Sequence, residues 1–251
     1  MRAFNCCLEE GKFYQQWKKQ RLLLLRKGNK PVDETSSYRP LCLLDTMGKL
    51  LEGLILLRLE KYVQFSHKQY GFRKGRSTTD AILEVTRIAD AAKKGTGKKK
   101  GFCALVAIDI KNAFNSARWK DIIEALANKK VPEYLIRVIE DYLRDRRVIY
   151  EDVFKIEDDM TCRVPQGSRL GPYLWNVMYD DILSIEQPRD TQLIGYADDT
   201  LIVIVTILSC WERLNETLIR IKRWLDKKIL QMAVQKTEAV LITDRRVFTF
   251  P

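Results

Sequence analysis

The stretch "GYADDTLIVIV", residues 195–205, sets two adjacent carboxylates, Asp198 and Asp199, directly ahead of a run of mostly β-branched apolar residues. Gln192-Leu193-Ile194 just before it is another short extended-looking segment. The pattern is strand, tight turn, strand, with both acids at or near the tip. Asp is a good turn former, so an Asp-Asp pair alone fits a plain turn. Working outward, Asp109 ends a second apolar run, "ALVAID", 89 residues before Asp198. Acids placed just past two buried strands converge if those strands are neighbours. Three carboxylates in a small space repel one another unless something positive lies between them. A hard divalent cation meets that need: Mg²⁺ takes a few carboxylates, retained waters and phosphate oxygens. Two such ions can activate an attacking hydroxyl and stabilise a leaving pyrophosphate. The other acidic pairs read differently, Asp158-Asp159 as a turn and Asp180-Asp181 as a solvated helix face.

The 251 residues are 46% hydrophobic, enough for one sizeable core with a smaller subdomain beside it. The net charge of +11 suits a polyanionic partner, although charge alone also fits a basic soluble protein. The six cysteines (Cys6, Cys7, Cys42, Cys103, Cys162, Cys210) form no C-x-x-C, and His67 is the single histidine. That pattern argues against structural zinc and for thiols in a reducing compartment. No secretory signal is evident, and the leucine run at 22–25 is too short to span a bilayer. With one histidine, any catalysis rests on carboxylates, lysines or metal.

Residues 1–20 are basic and weakly patterned. "QRLLLLRKGNKP" reads as a strand ending in a basic turn, and "PVDETSSYRPLCLL" as a loop and a short extended segment. Apolar spacing predicts a helix from Asp45 or Thr46 to about Ser66. "QYGFRKGRSTTD" is a basic loop, and Ser77 to Thr79 can cap a helix that fades near Gly95. After the connector "KKGTGKKKG", "CALVAIDI" reads as a fully buried strand. Helices are expected over 114–130 and 132–145, with Pro132 in a first turn. "RRVIYEDVFKIEDDMTCRVPQG" reads as a hairpin and loop, and a helix starts at Pro172. The opening hairpin follows, then a helix near 209–228 and a strand around 237–243. This order favours an α+β sheet with helices packed on one face.

In sequence order, "AIDIKNAFNSARW", "VPQGSRLGP" and "GYADD" resemble motifs A, B and C of the reverse transcriptase palm. "YRPLCLLDTMGKLLE" and "QYGFRKGRSTTDAI" resemble that family's fingers motifs, and "LQMAVQKTEAVLI" its motif D. The resemblance runs from about residue 13 to 243. Its wording is most similar to non-LTR (LINE-type) retrotransposons of arthropods, especially those inserting into ribosomal DNA. It implies a right-hand polymerase with fingers over 1–100 and palm over 101–251, part of the fingers inserted near 130–160. The palm would be a ferredoxin-like antiparallel sheet backed by helices, with the chain stopping before the thumb.

The resemblance also implies an RNA-directed DNA polymerase, with Asp109, Asp198 and Asp199 as catalytic residues and ligands of two Mg²⁺ ions, Mn²⁺ able to substitute. Phe114 would lie under the incoming sugar and exclude a 2′-hydroxyl. Ile110, Gln166 and Gly167 would sit beside the nucleotide, Lys27 and Arg39 would reach its phosphates, and Lys236 would donate a proton to pyrophosphate. RNA template, DNA primer and deoxynucleoside triphosphates are the implied partners, with no membrane, in a retrotransposon ribonucleoprotein of nucleus and cytoplasm. Arg169 stands where the family usually has an aliphatic residue, and Cys162 and Arg163 where it often has small ones. Two other readings stay open: an inactive or domesticated remnant that binds nucleic acid, and an RNA-dependent RNA polymerase. Ala197 and Phe114 speak against the second.

Overall fold

A computed structural model describes residues 2–28, 31–34, 37–94, 101–151, 155–160, 164–165, 167–207 and 210–244. Gln166, Cys162, Arg163 and most of the "KKGTGKKKG" connector lie outside the described residues. In chain order the elements are α1 (Arg2–Glu10), β1 (Lys19–Arg26), β2 (Tyr38–Leu44), α2 (Thr46–Leu59) and α3 (Thr78–Lys93). Next come β3 (Phe102–Ile108), α4 (Ala113–Ser116), α5 (Trp119–Asn128), α6 (Glu133–Leu143), β4 (Arg146–Glu151) and β5 (Lys155–Met160). The last are α7 (Leu170–Tyr179), β6 (Thr191–Tyr196), β7 (Asp199–Thr206), α8 (Trp211–Lys227) and β8 (Glu238–Thr243). They form two compact units that interleave along the chain: Met1–Gln64 with Phe114–Met178, and Phe65–Ala113 with Tyr179–Pro251.

The second unit holds a fully antiparallel sheet in the order β6-β7-β3-β8. "FCALVAI" takes a central place because nearly every residue is apolar: Phe102, Cys103, Ala104, Val106 and Ile108 are all buried. Helix α3 covers one face, packing Ile88, Ala89 and Ala92 on Cys103, Val203 and Ile194. Thr200 belongs to the opposite face from Leu201 and Val203, and its hydroxyl meets that of buried Tyr179 at 3.0 Å. Trp224 of α8 packs edge-on against Tyr179 at 5.5 Å. Helices therefore cover both faces of this sheet, where the sequence pattern led to one. Helix α3 starts where expected: Ser77 accepts from Asp80 N, and the Asp80 carboxylate accepts from Ser77 N.

The first unit holds a mixed sheet, β2-β1-β4-β5, in which β1 and β4 run parallel and the other pairs antiparallel. In the same unit α6 packs with α1 and α5 and buries Leu135, Val138, Ile139, Tyr142 and Leu143, a stripe at helical spacing. Asp45 caps α2, accepting from Met47 N and Gly48 N, so this helix begins as expected but ends at Leu59, earlier than Ser66. The leucine run is a strand, yet Leu23, Leu24 and Leu25 are more than one-third exposed. Asp158 and Asp159 lie in strand β5 rather than in a turn, and Asp159 pairs with Arg147 across the ladder at 3.2 Å. Asp180 is buried rather than solvated, both its oxygens accepting from Ser66 N in the second unit.

Candidate active site

The antiparallel register brings the acids together. Ile108 pairs with Thr200, so the next step along β3 and the step back along β7 set Asp109 opposite Asp199. In the β6–β7 hairpin Tyr196 pairs with Asp199, which leaves only Ala197 and Asp198 in the turn. Asp198 is half-buried and Asp199 exposed at the mouth of the sheet. All three carboxylates belong to one unit.

Their electrostatics follow from that placement. Burial pushes the Asp198 carboxyl up from its ordinary value; Asp109 adds to the push, and Lys236 opposes it. Asp199 is raised as well: although its side chain reaches solvent, its carboxyl is partly desolvated at the sheet mouth, and Asp198 and Asp109 add to the push. Lys236 supplies the local positive charge: its Nζ donates to Asp109 Oδ2 at 2.5 Å, which raises the ammonium above its usual value. Backbone pairing carries it there. Ala233 N donates to Asp109 O and Lys111 N to Gln231 O, both at 2.8 Å, with an isolated bridge between Ile110 and Met232. Ile110 itself is 2% exposed, packed beneath this strand end.

Among the described residues, no three Asp, Glu, His or Cys side chains form a ready-made metal cage. The donor chemistry nonetheless fits magnesium. Three mutually repelling carboxylates face one lysine, all donors are hard oxygens, and Mg²⁺ normally completes its octahedron with water and phosphate rather than protein.

The other unit carries the remaining candidates. Gly167 has φ +110, and a Cβ there would stand 2.5 Å from Cys42 O, so only glycine fits this turn. The turn runs into α7, whose first amides are held by Glu52 of α2: its Oε2 accepts from Arg169 N at 2.7 Å and Leu170 N at 3.3 Å. Glu52 is fully buried, and desolvation raises its carboxyl despite those bonds. Glu52→Ala should therefore lower stability by about 2–3 kcal/mol, as expected for lost hydrogen bonds to a charged, buried acceptor. Glu52→Gln, which keeps an acceptor oxygen, should cost less. Thermal melts decide it, and an alanine variant melting with the wild type would sink the capping role.

Phe114 is half-buried, its carbonyl accepting from Val164 N at 3.1 Å and its ring 5.5 Å from Trp175. Arg39 pairs with Leu25, and Lys27 N donates to Ser37 O, so Lys27 and Arg39 share one face of the β1–β2 hairpin, both exposed. The Arg169 guanidinium lies over Gly53 of α2, where an added Cβ would come within 3.0 Å of it. Sequence pattern missed Glu52, Asp180 and Gln69, because each works through hydrogen bonds to backbone far along the chain.

The family model described as "Reverse transcriptase (RNA-dependent DNA polymerase)" matches residues 25–249. The chain is 34% identical over 250 residues to "Probable RNA-directed DNA polymerase from transposon BS" of Drosophila melanogaster, covering 93% of this chain and 27% of that protein. It is 33% identical over 205 residues to "Putative 115 kDa protein in type-1 retrotransposable element R1DM" of the same species, covering 80% of this chain and 19% of the other. The chain thus spans about a quarter or less of these relatives. Among solved structures, telomerase from Candida tropicalis with a fragment of telomeric RNA superposes with a TM-score of 0.65 at 12% identity, over 96% of this chain and 44% of that one. That likeness reports the polymerase fold alone. With the match to the family model spanning most of its length, this chain belongs to the reverse transcriptase family.

Proposed function

We propose that the chain is the nucleotidyl-transfer core of an RNA-directed DNA polymerase from a non-LTR retrotransposon. One observation carries this reading: the β3–β7 register sets Asp109 against Asp199, with Asp198 in the adjoining turn and Lys236 on Asp109. In this reading residues 101–251, which carry motifs A to D, form the palm, and residues 1–100, with part of the 130–160 stretch, form the fingers. Asp109, Asp198 and Asp199 would hold two Mg²⁺ ions, which when bound activate a primer 3′-hydroxyl and neutralise the pyrophosphate. The chain's own groups do the rest. Lys236, kept protonated by Asp109, would give a proton to the departing pyrophosphate. Phe114 forms the wall beneath the sugar. Lys27 and Arg39 draw the triphosphate electrostatically to their shared face. Gly167 lets its own turn approach closely, and Gln166, which lies outside the described residues, would by the family resemblance offer its amide to nucleotide and template. RNA template, DNA primer and deoxynucleoside triphosphates are the partners this requires.

Primer extension on an RNA template tests it. Incorporation of deoxynucleotides should require Mg²⁺, cease with chelator, and be lost in Asp109→Asn. Salt-dependent RNA binding without any incorporation would overturn the proposal in favour of a nucleic-acid-binding remnant.

A further inference from the structure

The turn that carries Asp198 has an unusual backbone. Ala197 sits at φ +60, in the left-handed region where glycine is normally found at the first position of a two-residue hairpin turn. Such a conformation persists only when the surroundings over-determine it. Here the surroundings are residues 68–71, "KQYG", at the start of the basic loop whose "QYGFRKGRSTTDAI" resembles a fingers motif.

That loop is laid along β6 as a short extra strand. Gly195 N donates to Lys68 O at 2.9 Å and Tyr70 N to Gly195 O at 2.8 Å, a parallel bridge centred on Gln69 and Gly195. The Gln69 side chain then turns in to the hairpin. It is fully buried, and its Oε1 accepts from Ala197 N at 3.2 Å and Gly71 N at 2.9 Å. Two amide donors at one end fix which end is the oxygen. Gly71 completes the clamp by direct apposition: a Cβ there would stand 2.0 Å from Ala197 N, so only glycine lets the two backbones meet. The loop is anchored in turn. Both Asp180 oxygens accept from Ser66 N at 3.0 Å, and Arg73 Nη1 donates to Ser66 O at 2.7 Å.

We infer that Gln69 is a positioning residue for catalysis, holding the Ala197 amide so that Asp198 is presented at a fixed place beside Asp109 and Asp199. The inference rests on the polymerase reading for its consequence, though not for its geometry. Gln69 touches no reacting atom; it acts through the backbone of the turn. A carboxylate displaced by about 1 Å costs on the order of 100-fold in rate while leaving substrate contacts elsewhere unchanged.

The test compares the full chain with Gln69→Met, which keeps the volume and removes the acceptor. Two readouts are taken. In steady-state primer extension, kcat should fall about 10- to 100-fold while KM for the deoxynucleotide stays within about threefold, the signature of a lost transition-state interaction rather than lost binding. Independently of catalysis, amide hydrogen exchange at Ala197 should accelerate at least about tenfold, the sign of a locally opened turn. Gln69→Asn, with a shortened reach, should shift both in the same direction by less, and serves if the methionine variant does not fold. Unchanged exchange at Ala197 in a folded variant overturns the clamp. Faster exchange with full kcat overturns the positioning role. A wild-type chain that never extends a primer refutes the polymerase reading instead, and the exchange readout still decides the clamp.

Discussion

Asp198→Asn is expected to abolish nucleotide incorporation, by about 10³-fold or more, and at the same time to raise the melting temperature of the metal-free chain. The first effect follows from the proposed site, where Asp198 would be one of three hard donors and the chemistry charge stabilisation. The second follows from the state of that carboxyl in the fold. Burial, and then Asp109, hold it above its unfolded value. A carboxyl raised in this way binds more protons folded than unfolded between the two values, so stability falls as pH rises through that window. The window opens near the ordinary aspartate value of about 4, and the cost grows as pH rises above it. Asparagine removes it. Because the carboxylate is only half-buried and water screens it, the gain should be modest, roughly 2–4 °C for a domain of this size. Below about pH 4 the wild type and variant should melt together. Adding Mg²⁺ or Mn²⁺ should raise the wild-type melting temperature, since a cation that binds only the folded state stabilises it by mass action. The variant should lose most of that rise. Thermal melts across pH, with and without metal, beside primer extension, check each arm. An Asp198→Asn chain that incorporates like the wild type would remove the residue from catalysis.

The part of this site that was legible in the sequence is the part that depends on a period of two. β3 and the hairpin declare themselves by apolar runs that end in acids, and antiparallel pairing then forces Asp109 toward Asp199 without further information. The Ser77 cap is equally local and equally readable. What periodicity cannot carry is a contact between a side chain and a distant backbone. Gln69 and Ala197 are 128 residues apart, and Glu52 and Arg169 are 117 apart. Both lie in stretches whose pattern is otherwise loop or ordinary helix. Asp180 misleads for the same reason, since a charge near the end of a helix looks solvated until its amide partner is placed. Helix α1 escaped because nine residues with no acid in the first turn and no base in the last leave too little pattern to read.

Phe114→Val is expected to change which sugar the chain accepts. The ring is not loose: its backbone carbonyl is bonded to Val164 N, and Trp175 lies against it, tilted by 35°. A held aromatic wall can refuse a 2′-hydroxyl by volume, and valine keeps the apolar surface while withdrawing most of that volume. The ratio of kcat/KM for deoxynucleotide over ribonucleotide should fall about 10²-fold, the scale on which a pocket wall discriminates against an added hydroxyl. Most of the fall should come from improved ribonucleotide use, with the deoxynucleotide value reduced only a few-fold. Loss of ring contacts should also cost stability, about 1–3 kcal/mol, less than a fully buried phenylalanine because Phe114 is partly exposed. Single-nucleotide incorporation on one RNA template, with each sugar in turn, measures the ratio directly. A ratio unchanged by valine would return Phe114 to ordinary packing against Trp175. A wild type that uses both sugars equally would favour an RNA-synthesising palm, because a ring in this position then excludes nothing.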